Sequence, residues 1–293
     1  MNALLRRHPL GFYEIAEKPS REELRNYYAL KYYQTNQGNY RAQYDQEELD
    51  YFNSRIARYA RVVEKIRGTS PGLMLDVGCG EGFAMQYFLA KNWKVEGLDF
   101  SAAGVQKMNP SCLPYLETGD VFDLLSTRVQ NGRRYDAVFL SNVLEHVLEP
   151  VELMAQLRDL LSTDGVLIVT VPNDFSDLQN FCLERGHIDR EFWIATPDHL
   201  SYFDADSLRA VGISAGYFCR NVLGEFPIDW FLLHPNANYV MNRENGPGAN
   251  RARIQLDNLL ARKPIDDVIA YYEAMAKVGM GRQVVAFFTR GQI

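Results

Sequence analysis

Short apolar segments alternate with helical patterns through the middle of this 293-residue chain. Between these segments, apolar residues recur every three or four positions, and the segments themselves lie at 73–77, 94–100, 112–120, 135–143 and 165–172. Continuous apolar runs are typical of strands buried on both faces of a parallel sheet. Strands that alternate with helices form βαβ units. The pattern therefore predicts an α/β fold with helices on both faces of a mostly parallel sheet.

The first predicted strand ends in a glycine-rich turn, GCGEG, at residues 78–82. In an open parallel sheet, ligands bind beyond the carboxyl ends of the strands, and this turn borders that edge. Gly78, Gly80 and Gly82 allow the backbone to turn tightly and to approach a ligand without intervening Cβ atoms. The following helix directs its N-terminus at the same place, which favours a carboxylate or a phosphate. The turn is therefore a candidate ligand-binding site.

Three acidic residues lie at the ends of successive predicted strands. Asp76 precedes the glycines, and Asp99 ends the second strand, where a carboxylate can accept both hydroxyls of a ribose. Asp120 ends the third strand region and is followed by Val121, so that an acceptor adjoins an apolar surface suited to an adenine ring. Each acid also has a purely structural alternative. Asp76 and Asp99 could cap a helix or a turn, and the TGD sequence at Asp120 is also that of an ordinary turn.

The glycine spacing distinguishes between two kinds of nucleotide cofactor. A dinucleotide fingerprint, GxGxxG, requires a third glycine at position 83, which is Phe83 here. The turn therefore lacks an obvious pyrophosphate cradle, and its carbonyls together with Asp76 could instead accept hydrogen bonds from an ammonium group. An NAD(P)-binding reductase is disfavoured on this ground.

Four segments, taken in sequence order, carry a family resemblance. LDVGCGEG, VEGLDFS, GDVFDL and DAVFLSNVLEHVLEP resemble successive motifs of class I S-adenosylmethionine-dependent methyltransferases, closely so over residues 73–172. The resemblance implies S-adenosyl-L-methionine as cofactor. It also implies a seven-stranded Rossmann-like sheet in the order 3-2-1-4-5-7-6, with the seventh strand antiparallel. A strand at about 217–226, a helical insertion at about 227–282 and a last strand at 283–290 fit that order.

The resemblance also implies which residues hold the methionine part of the cofactor. Asp76, Gly78 and Gly80 would contact the methionine itself. Ser141 and Asn142, at the end of the fourth strand, would lie beneath the sulfonium.

The same resemblance places the adenosine part at the ends of the next strands. Asp99 would bind the ribose hydroxyls, and Phe100 would flank the adenine. Asp120 would accept a hydrogen bond from the adenine amino group, with the backbone of Val121 nearby.

Two of the five histidines are candidates for a catalytic base. A base is needed if the methyl acceptor is a hydroxyl, and the ordinary pKa of histidine is close to working pH. His199, in TPDHLSYF, is the first candidate because related enzymes carry a histidine and aromatic residues at that place. His146, in NVLEHV, borders the cleft and is the second, although its imidazole could simply bind nearby backbone. No acidic cluster is present in the sequence, so no metal site is predicted.

The regions outside the core define the predicted domain organisation. Residues 1–70 are predicted to form an N-terminal helical lid segment, followed by the methyltransferase domain at 71–293. Tyr33 and Tyr40 are candidates for lid residues that contact the sulfonium through their ring faces. The alternative is that the N-terminal tyrosines only pack these helices onto the domain.

Composition excludes several classes of partner and location. The net charge of −6 disfavours a nucleic-acid partner held mainly by phosphate contacts. No apolar run approaches the roughly 20 residues that a membrane span needs, and the N-terminus does not resemble a signal peptide. The four cysteines form no CxxC pair, so we interpret them as free thiols of a cytoplasmic protein.

The methyl acceptor is expected to contact the non-core regions at 1–70, 173–203 and 227–282. Their polar and aromatic content, and a likeness to methyltransferases encoded with bacterial polysaccharide enzymes, favour a sugar hydroxyl in nucleotide-sugar, capsule or lipopolysaccharide glycan biosynthesis. The SNVLEHVLEP segment also resembles quinone and aromatic O-methyltransferases, which is the alternative. A catalytically silent module that only binds S-adenosylmethionine is a further alternative. The sequence gives no oligomeric state.

Overall fold

The computed structural model of the chain describes residues 4–24, 26–27 and 43–291. Tyr33 and Tyr40 lie outside those residues, so the lid remains a prediction. Within the described ranges the chain forms ten strands, which are β1 (Leu5–Arg7), β2 (Tyr13–Ile15), β3 (Leu73–Val77), β4 (Lys94–Asp99), β5 (Leu116–Thr118), β6 (Tyr135–Ser141), β7 (Leu161–Pro172), β8 (Ser201–Tyr202), β9 (Tyr217–Gly224) and β10 (Gln283–Arg290).

Helices connect most of these strands. The longer ones are α1 (Gln46–Arg67), α2 (Phe83–Ala90), α3 (Ala103–Met108), α4 (Val121–Gln130), α5 (Pro150–Leu160), α6 (Asp177–Glu184), α7 (Ala205–Ser214), α8 (Asn245–Leu260) and α9 (Ile265–Lys277). Short 3₁₀ turns occupy Pro110–Tyr115, Leu144–His146 and Ile228–Leu233.

Seven of the strands form one sheet in the order β5-β4-β3-β6-β7-β10-β9. Counted along the seven core strands, this is the order 3-2-1-4-5-7-6, so the prediction from the family resemblance is confirmed. β10 runs antiparallel to both of its neighbours, β7 and β9, while β5, β4, β3, β6 and β7 pair in parallel. The carboxyl ends of those five strands therefore lie along a single edge of the sheet.

The continuous apolar character of the strands results from two separate cores on the two faces of the sheet. Leu75, Val77 and Val138 point into one core, which also receives residues of α4, α5 and α7. Met74 and Phe139 point into the other, which receives residues of α1, α2 and α9. Both sets are buried, and each large apolar side chain contributes about 1.5–3 kcal/mol when it is removed from water. Successive residues of these strands therefore alternate between two apolar cores and not between core and solvent.

Helix α1 begins and ends at the signals that its sequence carries. The side chain of Asp45 accepts a hydrogen bond from the backbone N–H of Glu48, and the Glu48 side chain accepts one from Asp45, which forms a capping box. The helix ends at Gly68, with φ of 90°. Of the predicted helical segment at 1–70, α1 accounts for the last third, and residues 21–24 are also helical.

The first residues of the chain differ from the prediction of a helical N-terminal segment. β1 and β2 form a hairpin that pairs with β8 in a small three-stranded sheet. The backbone N–H of Ile15 donates to the carbonyl of Leu200 at 3.0 Å, so this hairpin lies against the segment that carries His199. Strands of two or three residues are too short for a periodic sequence pattern, so the sequence does not indicate them.

The helices between β9 and β10 are attached to the rest of the domain by buried ion pairs. Arg58 of α1 is 2% exposed and contacts Asp257 of α8 and Glu225, each at 3.2 Å. The hydroxyl of Tyr59 also donates to Glu225, at 3.0 Å. A buried charge that loses its partner costs about 3–5 kcal/mol, so these contacts fix α8 against α1.

Two further properties bear on the environment of the protein. Among the described residues, no helix combines the length and the apolar character that crossing a membrane requires. Cys79, Cys112, Cys182 and Cys219 form no disulfide, as their spacing predicts.

Candidate active site

The predicted cofactor residues lie at the carboxyl ends of adjacent parallel strands. Val77 of β3 pairs with Leu98 of β4 on one side and with Leu140 of β6 on the other. Asp99, Asp76 and Ser141 are therefore brought to the same edge of the sheet, on the three adjacent strands β4, β3 and β6. This is the edge at which ligands bind in open α/β sheets.

The glycine turn folds directly over the end of β4. The backbone N–H groups of Gly78 and Cys79 both donate to the carbonyl of Leu98, at 2.8 and 3.0 Å. Gly78 and Gly80 have φ of 71° and 55°, a region that other residues rarely adopt. A Cβ atom on Gly78 would lie 2.6 Å from Cγ2 of Val143. Glycine is thus required at 78 by the protein's own packing, and the turn following β6 lies against the glycine turn.

Asp99 connects the glycine turn to the end of β4. One carboxylate oxygen accepts from the backbone N–H of Gly80 at 2.8 Å, and the other accepts from that of Ser101 at 3.0 Å. Burial raises the pKa of Asp99, while the backbone donors at Gly80, Ser101 and Phe100 counteract the rise. Each carboxylate oxygen has two lone pairs, so both retain capacity for a ribose hydroxyl. The predicted ribose role of Asp99 is compatible with this geometry.

Asp76 is a buried carboxylate that needs a positively charged partner. It is 4% exposed. We find no hydrogen bond to its side chain within the described part of the chain. Burial, and then the nearby charge of Asp99, raise its pKa to about 7. An ammonium group placed beside Asp76 would donate hydrogen bonds and compensate the charge, which is what the amino group of a methionine moiety offers. The residues at this edge therefore fit S-adenosyl-L-methionine.

The raised pKa of Asp76 predicts pH-dependent cofactor binding. An ammonium group is held by the carboxylate form, and below a pKa of about 7 that form becomes scarce in the free protein. We expect the affinity for S-adenosylhomocysteine, measured by isothermal titration calorimetry, to fall by roughly tenfold per pH unit below that pKa and to level off above it. Asp76→Asn should bind more weakly and lose this dependence.

Asp99 also has a raised pKa, so the Asp76→Asn comparison is needed to assign the effect. Asp164→Asn, an exposed carboxylate near the start of β7, serves as the matched control. An equally steep pH dependence in Asp76→Asn would contradict the assignment.

Asp120 has a structural role in addition to its predicted one. It is the N-cap of α4, where its side chain accepts from the backbone N–H of Phe122 at 3.0 Å and of Asp123 at 3.4 Å. Val121 is buried in the core beneath α4, and Phe100 is half-buried against the same core. The structure thus supports a capping function for Asp120. Its contact with adenine, and those of Val121 and Phe100, remain predictions.

Asn142 is held at the end of β6 by a chain of contacts that the sequence did not indicate. It has φ of 55°, and its side-chain oxygen accepts from Gln283 of β10 at 3.0 Å. Gln283 in turn accepts from Arg55 of α1 at 2.9 Å. Ser141 is half-buried beside it. Gln283 and Arg55, which are distant from Asn142 in the sequence, therefore position this predicted cofactor residue.

The two candidate catalytic histidines are brought together. The imidazole rings of His146 and His199 have their centroids 4.9 Å apart at an interplanar angle of 80°. Nδ1 of His146 is 2.7 Å from the carbonyl oxygen of Asp198. A carbonyl only accepts hydrogen bonds, so Nδ1 carries the proton and Nε2 presents its lone pair.

Glu145 completes this group and was missed by the sequence analysis. It is 1% exposed, and its Oε1 lies 3.9 Å from Nε2 of His146. Burial, with smaller contributions from the charges of Asp174 and Asp198, raises the pKa of Glu145 to about 8. A charged residue four positions after the end of an apolar strand, between a leucine and a histidine, was the available signal.

The cluster formed by Glu145, His146 and His199 also alters the prediction about metals. Each side chain offers one ligand atom, and these atoms all lie within 4.8 Å of one another. The prediction of no metal site rested on the absence of an acidic cluster in the sequence. Folding brings together three possible ligands from two separate segments, so a metal ion could be held here.

The sheet order, the glycine turn and the acids at its edge define a class I S-adenosylmethionine-dependent methyltransferase. A family model described as a methyltransferase domain matches residues 49–220, more than half of the chain. The chain belongs to this methyltransferase family, and it is an enzyme that uses S-adenosyl-L-methionine.

Relatives of known name share this region. The ubiquinone biosynthesis O-methyltransferase of Vibrio atlanticus is 27% identical over 202 residues, which cover 63% of this chain and 81% of the relative. The enzyme of the same name from Shewanella pealeana is 26% identical over 157 residues, covering 52% of this chain and 65% of its own length. The match thus spans just under two thirds of the Shewanella relative.

A solved structure supports the fold. The 1,6-didemethyltoxoflavin-N1-methyltransferase of Burkholderia thailandensis superposes with a TM-score of 0.51 at 12% identity, over 99% of this chain and all of that one. At this identity the likeness concerns the fold alone.

Proposed function

We propose that this enzyme transfers a methyl group from S-adenosyl-L-methionine to a hydroxyl on an aromatic ring. The observation that carries the proposal is the cluster of Glu145, His146 and His199 at the carboxyl end of β6. Val143, which begins the turn leading to Glu145, lies against Gly78 of the glycine turn. This contact supports the proposal that groups able to act on an acceptor proton lie near the predicted methionine site. A silent binding module would not need them.

Two observations favour an aromatic acceptor over the sugar that the sequence analysis placed first. The relatives are named O-methyltransferases of ubiquinone biosynthesis. Aromatic rings also back the histidine pair, since Tyr202 lies 6.1 Å from His199 and Phe175 lies 6.1 Å from Tyr202, centroid to centroid. Trp193 continues this group at 5.5 Å from Phe175. Tyr202 and Trp193 are buried, so these rings form an apolar layer behind the histidine pair and favour an apolar acceptor only indirectly. The relatives named above give no support to polysaccharide biosynthesis.

Different residues of this chain bind the cofactor and accept the proton. S-adenosyl-L-methionine supplies a methyl group on a positively charged sulfur, which is already a good electrophile. Asp76 would hold the amino group of the methionine part and Asp99 the ribose, and together they would fix the orientation of the molecule, which is the main contribution that a protein can make to such a displacement. Ser141 and Asn142 form the floor at the end of β6.

The acceptor proton is the remaining requirement. As the acceptor oxygen bonds to the methyl carbon, the carbon–sulfur bond breaks and its electron pair stays on sulfur. The proton of the acceptor hydroxyl passes to a ring nitrogen of the histidine pair, with His199 as the first candidate and His146 as the second. Such a positioned base contributes about 10²–10⁴-fold to the rate.

A radiolabelled methyl transfer assay tests this function. Purified protein would be incubated with S-adenosyl-L-methionine labelled in the methyl group and with three acceptors, which are 3,4-dihydroxybenzoate, a simple phenol and a nucleotide sugar. We expect label in an O-methylated catechol and none in the sugar. Transfer to the nucleotide sugar alone would overturn the aromatic acceptor while leaving the enzyme class intact. Asp99→Ala serves as the inactive control.

A further inference from the structure

We propose that Glu145, His146 and His199 form a binding site for a divalent transition-metal cation. Their ligand atoms lie within 4.8 Å of one another. Two of these atoms, Nε2 of His146 and Oε1 of Glu145, face each other at 3.9 Å. The binding claim stands independently, while its catalytic role rests on the proposed function.

The 3.9 Å separation matches a bridging cation better than a direct hydrogen bond. A hydrogen bond between a carboxyl group and a ring nitrogen would bring the two atoms to within about 3.2 Å. Two ligands on one zinc-like ion, each bonded at about 2.0–2.2 Å, lie roughly 3–3.5 Å apart. The Glu145–His146 pair needs to close by less than about 1 Å to reach that geometry. The remaining ligand atoms, all within 4.8 Å, must close by up to roughly 2 Å.

Glu145 supplies an independent indication that a cation belongs here. Its second oxygen, Oε2, is buried and has no hydrogen-bond partner within the described residues. Asp174, 2% exposed, also has one buried oxygen without a partner, while its other oxygen is 3.0 Å from Arg282. Asp198 adds a third carboxylate nearby. Burial disfavours the charged form of these carboxyl groups as long as no charge or donor compensates it, and a divalent cation would supply that compensation.

The two segments that carry the ligands are fixed to each other. The backbone N–H of Leu200 donates to the carbonyl of Glu145 at 2.8 Å, and that of His199 donates to Ala195 at 2.8 Å. The carbonyl of Asp198 sets the tautomer of His146, in the manner of the outer partners that orient metal-binding histidines. The ligands are therefore held close together before any ion arrives.

The ligand set indicates the class of ion and its use. Two imidazoles and one carboxylate suit zinc, manganese, iron or cobalt better than magnesium or calcium, which prefer oxygen ligands. Three protein ligands leave a position open, as in catalytic sites. An acceptor hydroxyl bound there would lose its proton more readily, because the cation lowers its pKa. With the cation bound, the histidines would act as ligands, and the proton of the acceptor hydroxyl would pass to solvent water instead of to the histidine pair.

Metal binding can be measured without any activity assay. Wild-type protein, stripped with a chelator and dialysed against Zn²⁺ or Co²⁺, is expected to bind one ion per chain, and Co²⁺ should give visible absorption bands of a histidine-bound ion. Glu145→Gln and His199→Gln should each weaken Zn²⁺ binding by at least about 100-fold, since even loss of an outer partner costs 10–100-fold. His234→Gln, which alters an exposed histidine, should bind as wild type does.

Three outcomes decide the inference. Substoichiometric binding by the wild type, or equal Zn²⁺ affinity in Glu145→Gln, would overturn the site, provided that each variant retains wild-type thermal stability and S-adenosylhomocysteine binding. Tight Zn²⁺ binding without any methyl transfer would keep the site and count against the proposed function. Full methyl transfer by metal-free protein would assign the proton to a histidine base and remove the catalytic role of the ion.

Discussion

Asp99→Ala is expected to lower the affinity for S-adenosyl-L-methionine and S-adenosylhomocysteine by about 100-fold or more. A ribose bound at the end of β4 would lose two hydrogen bonds to a charged acceptor, and each such bond contributes roughly 1.5–3 kcal/mol. The affinity would be measured by isothermal titration calorimetry at a pH above the pKa of Asp76, so that the Asp76 carboxylate stays ionised.

The main control for this prediction concerns the fold. Asp99 accepts from the N–H groups of Gly80 and Ser101, so its removal also releases two backbone donors. Asp99→Asn keeps a side-chain oxygen as an acceptor and should retain the turn more fully while still losing the charge. Asp164→Ala, at the opposite end of the sheet, should bind as wild type does. An Asp99→Ala protein with intact thermal stability and unchanged affinity would remove Asp99 from the cofactor site.

The same substitution should alter Asp76. The charge of Asp99 is the second cause of the raised pKa of Asp76, after burial. In Asp99→Ala the pKa of Asp76 should therefore move back toward the ordinary range for an aspartate. The pKa of Asp76 thus depends on the charge of Asp99, and the two carboxylates together favour a cationic partner at Asp76.

The features that could be predicted from the sequence are those that depend on residues close together in the chain. The strand ending at Val77, the glycine turn and Asp99 all stand within short segments whose patterns have one main structural solution. The order of the strands came from the family resemblance and not from these patterns. β5 was located only approximately, because Pro110 and Pro114 disrupt a regular ladder and leave Leu116–Thr118 as the strand.

Features that depend on distant contacts were not predictable in this way. Asn142 and Gln283 are separated by 141 positions, and Gln283 and Arg55 by 228. His146 and the carbonyl of Asp198 are 52 positions apart. Glu145 is a candidate site residue because it is buried beside both histidines. The sequence shows its charge but not its burial. The acceptor half of the site is therefore built from long-range contacts, whereas the cofactor half is largely local.

His199→Gln is expected to slow methyl transfer by about 10²–10⁴-fold while leaving S-adenosylhomocysteine affinity close to that of the wild type. His199 is assigned to the acceptor proton, whereas Asp76 and Asp99 are the residues predicted to bind the cofactor, so cofactor affinity should depend little on His199. The rate would be measured in single turnovers with labelled cofactor and 3,4-dihydroxybenzoate, which separates the transfer itself from product release. His234→Gln provides the matched control.

Combining substitutions tests whether Glu145, His146 and His199 act as one unit. Residues of a single catalytic unit are strongly non-additive, so His199→Gln combined with Glu145→Gln should be little slower than either alone. If the residues contributed independently, the rate reductions of the two single substitutions would multiply in the double variant. Unchanged turnover in His199→Gln would exclude it both as base and as ligand. In that case the acceptor proton would have to leave by another route, and the adjacency of the two imidazole rings would be a packing feature of the β6 edge.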